Sequence, residues 1–325
     1  MPHRFLAGLL ALALSIPCLP ASAARDAPPG ATPATARLTV AADDGLPLAL
    51  WARAPAHPRG TVLLVHGRTW SARPNFDLQV PGEPADSRSV LAALARAGYA
   101  AYAVDLRGYG ATPRDASGWD TPARALADVD AVLDWIARRH PGLPPPALLG
   151  YSNGARLALL AAQRPGAPIS AAVLYGFPDD VALPVPVAPE PGSDAPQPPR
   201  LRTTAEAAAS DFVVAGAAPA AVREAYVAQA LAADPVRTDW RASTEFRYVP
   251  EQVRVPVLLL RGARDPLATQ EENDHLYLRL GTEDRSWVTL PAADHVAHVE
   301  DTHAAWVQSV VDFLQRARGP AVPAR

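Results

Sequence analysis

Lysine is absent from the 325-residue chain, and methionine and cysteine each occur once. Without a lysine ammonium there is no phosphate-binding P-loop of the usual kind and no Schiff base with pyridoxal phosphate, so those enzyme classes are excluded. A lone Cys18 excludes an internal disulfide framework and a cysteine zinc cluster. An excess of basic charge is also missing. The 30 basic side chains face 33 acidic ones for a net charge of -3, which provides no field to draw nucleic acid or an acidic membrane surface. Long apolar runs are scarce, and the one from Phe5 to Ile16 is too short to span a bilayer.

What remains is half apolar (49 %) and modestly charged (19 %), enough to fill one large core or two smaller ones. The expected partner is a small molecule. The opening "MPHRFLAGLLALALSIPCLPASAARD" combines an arginine, an apolar stretch and Ala21-Ser22-Ala23, the A-x-A form of a cleavage site. This pattern predicts a secretory signal peptide over 1–23, hence an exported protein, periplasmic or secreted, that loses Cys18. Proline next to Cys18 disfavours a lipid anchor there. A flexible, Pro- and Ala-rich lead-in is expected over 24–35.

From Arg37 the pattern becomes regular. "RLTVAADDGLPLALWARAP" reads as two alternating strands about the turn Asp44-Gly45. "TVLLVHG", "YAAYAVDLRG", "PALLGYS", "SAAVLYGF", "VPVLLLRG" and "SWVTL" are apolar runs suited to strands buried on both faces. Helical periodicity separates them over 87–97, 120–139, 153–162, 269–280 and 302–316. Strands alternating with helices predict a mostly parallel central sheet flanked by helices.

One interval breaks the rhythm. Eight prolines between Pro178 and Pro199 forbid a helix or central strand there. Beyond them, Thr203-x-x-Glu206 reads as a capping box and "APAAVREAYVAQALAADP" as a second helix ended by Asp234-Pro235. The expectation is a helical cap over 177–251, inserted after the sixth strand and lying over the sheet's carboxyl edge. It would divide a core of 36–176 and 252–318.

Within "ALLGYSNGA" a hydroxyl stands between two glycines where a strand turns into a helix. Gly150 and Gly154 would let strand and helix approach closely, and the helix N-terminus would direct N–H groups at a nascent oxyanion. Ser152 is therefore a candidate nucleophile on an elbow at the sheet edge where ligands bind in open α/β folds.

With "GYSNG", four further stretches carry a resemblance: "LLVHGRTW", "DLRGYG", "LLRGARDPLA" and "LPAADHVAHVE". The chain resembles α/β-hydrolase-fold serine hydrolases of the esterase and lipase kind from about Arg37 to Leu314. The resemblance implies a triad of Ser152, Asp265 and His295 in the family's chain order, an oxyanion hole from the N–H groups of Arg68 and Asn153, and "DLRGYG" as a loop shaping the site floor. It implies no cofactor and no metal. Here Asp294 replaces the glycine that commonly precedes the histidine, and His298 is the rival base; Asp179 and Asp180 are rival acids. The cluster His295, His298, Glu300, Asp301 and His303 lacks the helical i, i+4 spacing of zinc sites. Tyr151, Trp70, Phe76 and Phe177 are candidate pocket walls, the first two and Phe177 foremost.

The implied chemistry is hydrolysis of a small ester or related acyl bond through an acyl-enzyme. A peptidase, lactonase or thioesterase on the same triad is the alternative, as is a non-catalytic ligand-binding protein of the same fold.

Overall fold

A computed structural model of the chain describes residues 33–183 and 194–317. The expected signal peptide, Cys18, most of the lead-in and the centre of the proline-rich interval lie outside the described residues.

Ten strands form among the described residues. They are β1 (Ala36–Ala41), β2 (Pro47–Arg53), β3 (Gly60–Val65), β4 (Tyr99–Val104), β5 (Trp119–Asp120), β6 (Ala147–Tyr151), β7 (Ala171–Tyr175), β8 (Asp239–Trp240), β9 (Val257–Gly262) and β10 (Arg285–Leu290). Eight of them make one sheet in the order β1-β2-β4-β3-β6-β7-β9-β10. The β1–β2 and β2–β4 pairs are antiparallel and the rest parallel. At the β1–β2 hairpin Gly45 takes φ 84°, a left-handed conformation that suits glycine. The fold is the α/β-hydrolase fold.

The helices are α1 (Ala72–Phe76), α2 (Val90–Arg96), α3 (Pro122–Arg139), α4 (Asn153–Ala162), α5 (Ala205–Ala209), α6 (Ala220–Ala233), α7 (Gln270–Arg279) and α8 (His303–Ala317). Alternation along β3 explains how they divide between two faces. Leu63 and Val65 pack with Val129 and Leu133 of α3 and Leu159 of α4, whereas Val62 and Leu64 pack with Leu94 of α2 and Trp306 and Phe313 of α8. Covered on both sides, β3, β4, β6, β7 and β9 are buried throughout, and β10, at the edge, is only partly so.

Several boundaries differ from the sequence reading. The first long helix starts at Val90 rather than at 87, because Ser89 caps it by accepting from the Ala92 N–H while Ser87 bonds Glu83. The next starts at Pro122 behind Thr121, leaving Asp120 to β5. The expected capping box at Thr203 does not form. Thr204 is the cap, accepting from Ala207 N–H, and Thr203 donates its hydroxyl to the Asp234 carbonyl. A reciprocal box does form at Thr269 and Glu272, opening α7. Between β7 and β9 the chain adds not only α5 and α6 but also β8, which pairs with β5 in a separate two-stranded sheet.

Asp234, which ends α6, ties this insertion to the core. Its carboxylate accepts from the N–H of Ser71 at 2.9 Å and of Gly110 at 2.7 Å.

Candidate active site

The turn after β6 is strained in the manner a nucleophile elbow requires. Ser152 has φ 53° and ψ -116°, a region that non-glycine residues occupy only when their surroundings enforce it. The enforcement is steric. A β-carbon on Gly150 would meet the Gly154 carbonyl oxygen at 2.0 Å, and one on Gly154 would meet that of Val65 at 2.2 Å. The Ser152 N–H donates to the Tyr175 carbonyl at 2.8 Å, locking the turn to the neighbouring strand.

Asp265 and His295 follow β9 and β10 at the same edge. Their side chains meet at 2.8 Å between Asp265 Oδ2 and His295 Nδ1, both residues being buried. The other carboxylate oxygen of Asp265 accepts from the N–H groups of Leu267 and Ala268. Tyr175 donates its hydroxyl to the His295 carbonyl at 2.6 Å. Gly176 takes φ 58°, a conformation that favours glycine, and a β-carbon there would stand 3.1 Å from the imidazole and crowd the ring. Ser152 and His295 line one cavity of about 200 Å³, together with Gly67, Arg68, Trp70 and Asp211. A larger cavity of about 370 Å³, lined by Trp51, Arg73, Asp105 and Gln229 among others, reaches none of these three side chains.

Arg68 lines the cavity with Ser152, and Asn153 directly follows the serine. Asn153 is the first residue of α4, where N–H groups have no acceptor within the helix. The carbonyl of Arg68 is held by the Tyr109 hydroxyl, which in turn accepts from Trp240 Nε1 at 2.6 Å. Tyr109 belongs to "DLRGYG", and that motif knits the loop after β3 from behind. Asp105 accepts from the N–H groups of Ala72 and Ala111 and from Trp51 Nε1. His66 donates from Nδ1 to the Gly67 carbonyl at 2.7 Å and accepts the Leu106 N–H at Nε2 at 3.2 Å. Burial pushes the His66 pKa down to about 4, so the ring is neutral and this tautomer satisfies both nitrogens.

The rival residues have other duties. His298 is fully buried among Phe76, Tyr151, Tyr175 and Trp306, with Nδ1 facing the Tyr175 hydroxyl at 3.2 Å. Burial holds its pKa well below the usual range. Asp179 pairs with Arg156 and accepts from Tyr248, and Asp180 faces His275. Among the described residues, no group of three or more His, Asp or Glu side chains is arranged to hold a metal ion. Tyr151 and Trp70 line the cavity. Phe177 does not: it lies in the core against Tyr248, because the chain turns inward after β7.

Three participants were not singled out by the sequence. Gly176 and Tyr175 end a strand at the functional edge, a position that could have marked them. Asp211 carried no signal at all. It enters the cavity from the insertion and accepts from the Tyr226 hydroxyl at 3.0 Å, and burial raises its pKa to about 6.

Comparison with known proteins identifies the family and the fold. The family model described as serine aminopeptidase, S33, matches residues 56–302. Among solved structures, an esterase from a Rhodococcus species superposes with a TM-score of 0.61 at 23 % identity, covering 86 % of this chain and 98 % of its own. The thioesterase domain of the curacin biosynthetic pathway gives 0.60 at 21 %, covering 86 % and 99 %. A Pyrococcus furiosus esterase gives 0.56 at 18 %, covering 87 % and 92 %. At such identities the likeness is one of fold. No curated protein sequence matches the chain. With its family model spanning all three edge motifs, the chain belongs to the serine aminopeptidase family of α/β-hydrolase-fold hydrolases.

Proposed function

We propose that this hydrolase is exported and cleaves an ester or related acyl bond of a small molecule through Ser152, His295 and Asp265. The observation that carries the reading is the Asp265–His295 bond beside a cavity that Ser152 also lines. A serine hydroxyl is a weak nucleophile at neutral pH, so it needs a base. With Nδ1 bonded to Asp265, His295 is left to use Nε2 on the Ser152 hydroxyl. Oγ attacks the carbonyl carbon while Nε2 takes its proton. The oxyanion is received by the N–H groups of Arg68 and Asn153. Collapse breaks the acyl–oxygen bond, and the imidazolium returns the proton to the departing alkoxide. Water, deprotonated by His295, then releases the acid and regenerates Ser152.

A cavity of about 200 Å³ supports a short acyl group. The segment between β7 and β9 acts as the cap, since it contributes Asp211 to that cavity. Export is supported by the signal-peptide pattern over 1–23. A second reading, a peptidase on the same triad, is favoured by the Asp211 carboxyl, which could pair with a substrate ammonium.

Labelling with a fluorophosphonate probe and hydrolysis of p-nitrophenyl butyrate test the reading. Labelling confined to Ser152 and lost in Ser152→Ala is expected. An unlabelled, inactive wild type would leave a ligand-binding protein. Faster turnover of aminoacyl p-nitroanilides than of esters would select the peptidase.

A further inference from the structure

The insertion reaches the cavity through the segment between α5 and α6, which carries Asp211. Three residues on, the Val214 N–H donates to Asp294 Oδ2 at 2.8 Å, and Asp294 Oδ1 accepts from the Val296 N–H at 3.0 Å. One fully buried carboxylate thus bonds two backbones, the insertion's and that of the loop holding His295. Ser210, Phe212 and Ala217 donate their N–H groups within the insertion, so none of these three fixes it to the core.

A buried carboxylate is costly unless its surroundings supply donors. Glu300, also fully buried, accepts the Asp294 N–H at 3.1 Å through Oε2. Burial and the neighbouring Asp294 push the Glu300 pKa up to about 9, which favours its neutral form beside the Asp294 carboxylate. The groups around the pair are His295 in the same loop, His298 and His303 leading into α8, Tyr175 from β7 and Asp211 from the insertion. Arg88 approaches as well, but it binds the backbone carbonyls of Val299 and Glu300 and the side chains of Glu83 and Asp301.

We propose that Asp294, its own N–H held by Glu300, is a positioning latch that fixes the cap's Asp211 wall to the loop bearing His295. The glycine usual before the histidine could not make this tie. The kinetic consequences rest on the reading of Ser152 and His295 above; the structural ones do not. With the latch closed, the cavity presents a carboxyl beside the nucleophile and disfavours acyl groups that carry a negative charge.

Asp294→Asn can serve only one of the two N–H groups, because its amide has a single acceptor oxygen. We expect hydrogen-exchange protection over 211–217 to fall about tenfold while β9 and α8 keep theirs. The KM for p-nitrophenyl butyrate should rise more than kcat falls, and discrimination against p-nitrophenyl hemisuccinate should weaken. Unchanged protection and unchanged KM would overturn the latch. Glu300→Gln stays neutral and keeps the test alive should Asp294→Asn fail to fold. In the wild type, protection over 211–217 should be lost as the pH rises through about 9; in Glu300→Gln it should persist. The same alkaline loss in both proteins would overturn the role of Glu300. Protection is read without turnover, so an inactive chain would sink the proposed function and leave the latch to be decided by exchange.

Discussion

Gly154 packs so closely against the carbonyl oxygen of Val65 that a β-carbon would stand 2.2 Å from it. The contact joins the start of α4 to the end of β3, and it holds the serine turn against the loop that carries Arg68. Neither partner can yield, since both are backbone within the buried sheet edge. Gly154→Ala should cost on the order of 3 kcal/mol and abolish esterase activity in whatever still folds, as read by denaturant melts and p-nitrophenyl butyrate turnover. A stable, active variant would show that the elbow can relax.

His295 and His298 should respond differently to truncation. Removing the imidazole bonded to Asp265 should lower kcat by about a thousandfold or more with little change in stability. His298→Ala empties a site among four aromatic rings. It should cost about 2–4 kcal/mol while the folded fraction keeps its turnover. Measuring kcat per folded molecule for both variants separates the two roles, and the reverse ranking would exchange them.

Arg107 should prove indispensable to folding. Its guanidinium is bidentate on Asp128 at 2.8 and 2.7 Å and reaches Asp44 and Asp115 at 3.0 Å each, and Asp128 is fully buried. Arg107→Ala leaves the buried Asp128 carboxylate with only the more distant Arg124 guanidinium at 3.6 Å and should cost about 3 kcal/mol. Arg107→Lys keeps the charge but loses the fork, and should recover only part of that. Thermal melts of the two variants check the order.

Stability should fall on both sides of neutrality, for opposite reasons. His66 has a folded pKa of about 4 against an ordinary 6.5, so the unfolded chain binds more protons in that window and stability drops as pH falls through it. Glu300 has a folded pKa of about 9 against an ordinary 4.5, so its contribution is complete below the lower value and drains away as pH rises towards the upper one. His66→Asn should flatten the acid limb of a melting-temperature profile, and Glu300→Gln the alkaline limb. Limbs unmoved by either substitution would assign them to other groups.

Much of this architecture was legible before any coordinates. Period-two and period-3.6 patterns report which face of a segment is apolar, and that was enough for the parallel sheet, its flanking helices and the strand-to-helix turn that carries Ser152, whereas Asp265 and His295 were implied by the family resemblance of their motifs. Local hydrogen-bond chemistry was less readable. Thr203 and Thr204 offer the same hydroxyl, and the choice of Thr204 depends on Thr203 being drawn to the Asp234 carbonyl across the insertion.

The sequence alone determined the strand–turn–helix at "GYSNG", since only glycine tolerates that crowding, and it determined the order of the edge motifs. Packing decided the rest. Whether His298 faces solvent or an aromatic nest, whether Phe177 lines a cavity or fills the core, and that Asp211 arrives beside Ser152 are questions of distance between segments far apart in the chain. Such distances follow from how whole elements seat against one another, and no local spacing of residues encodes them.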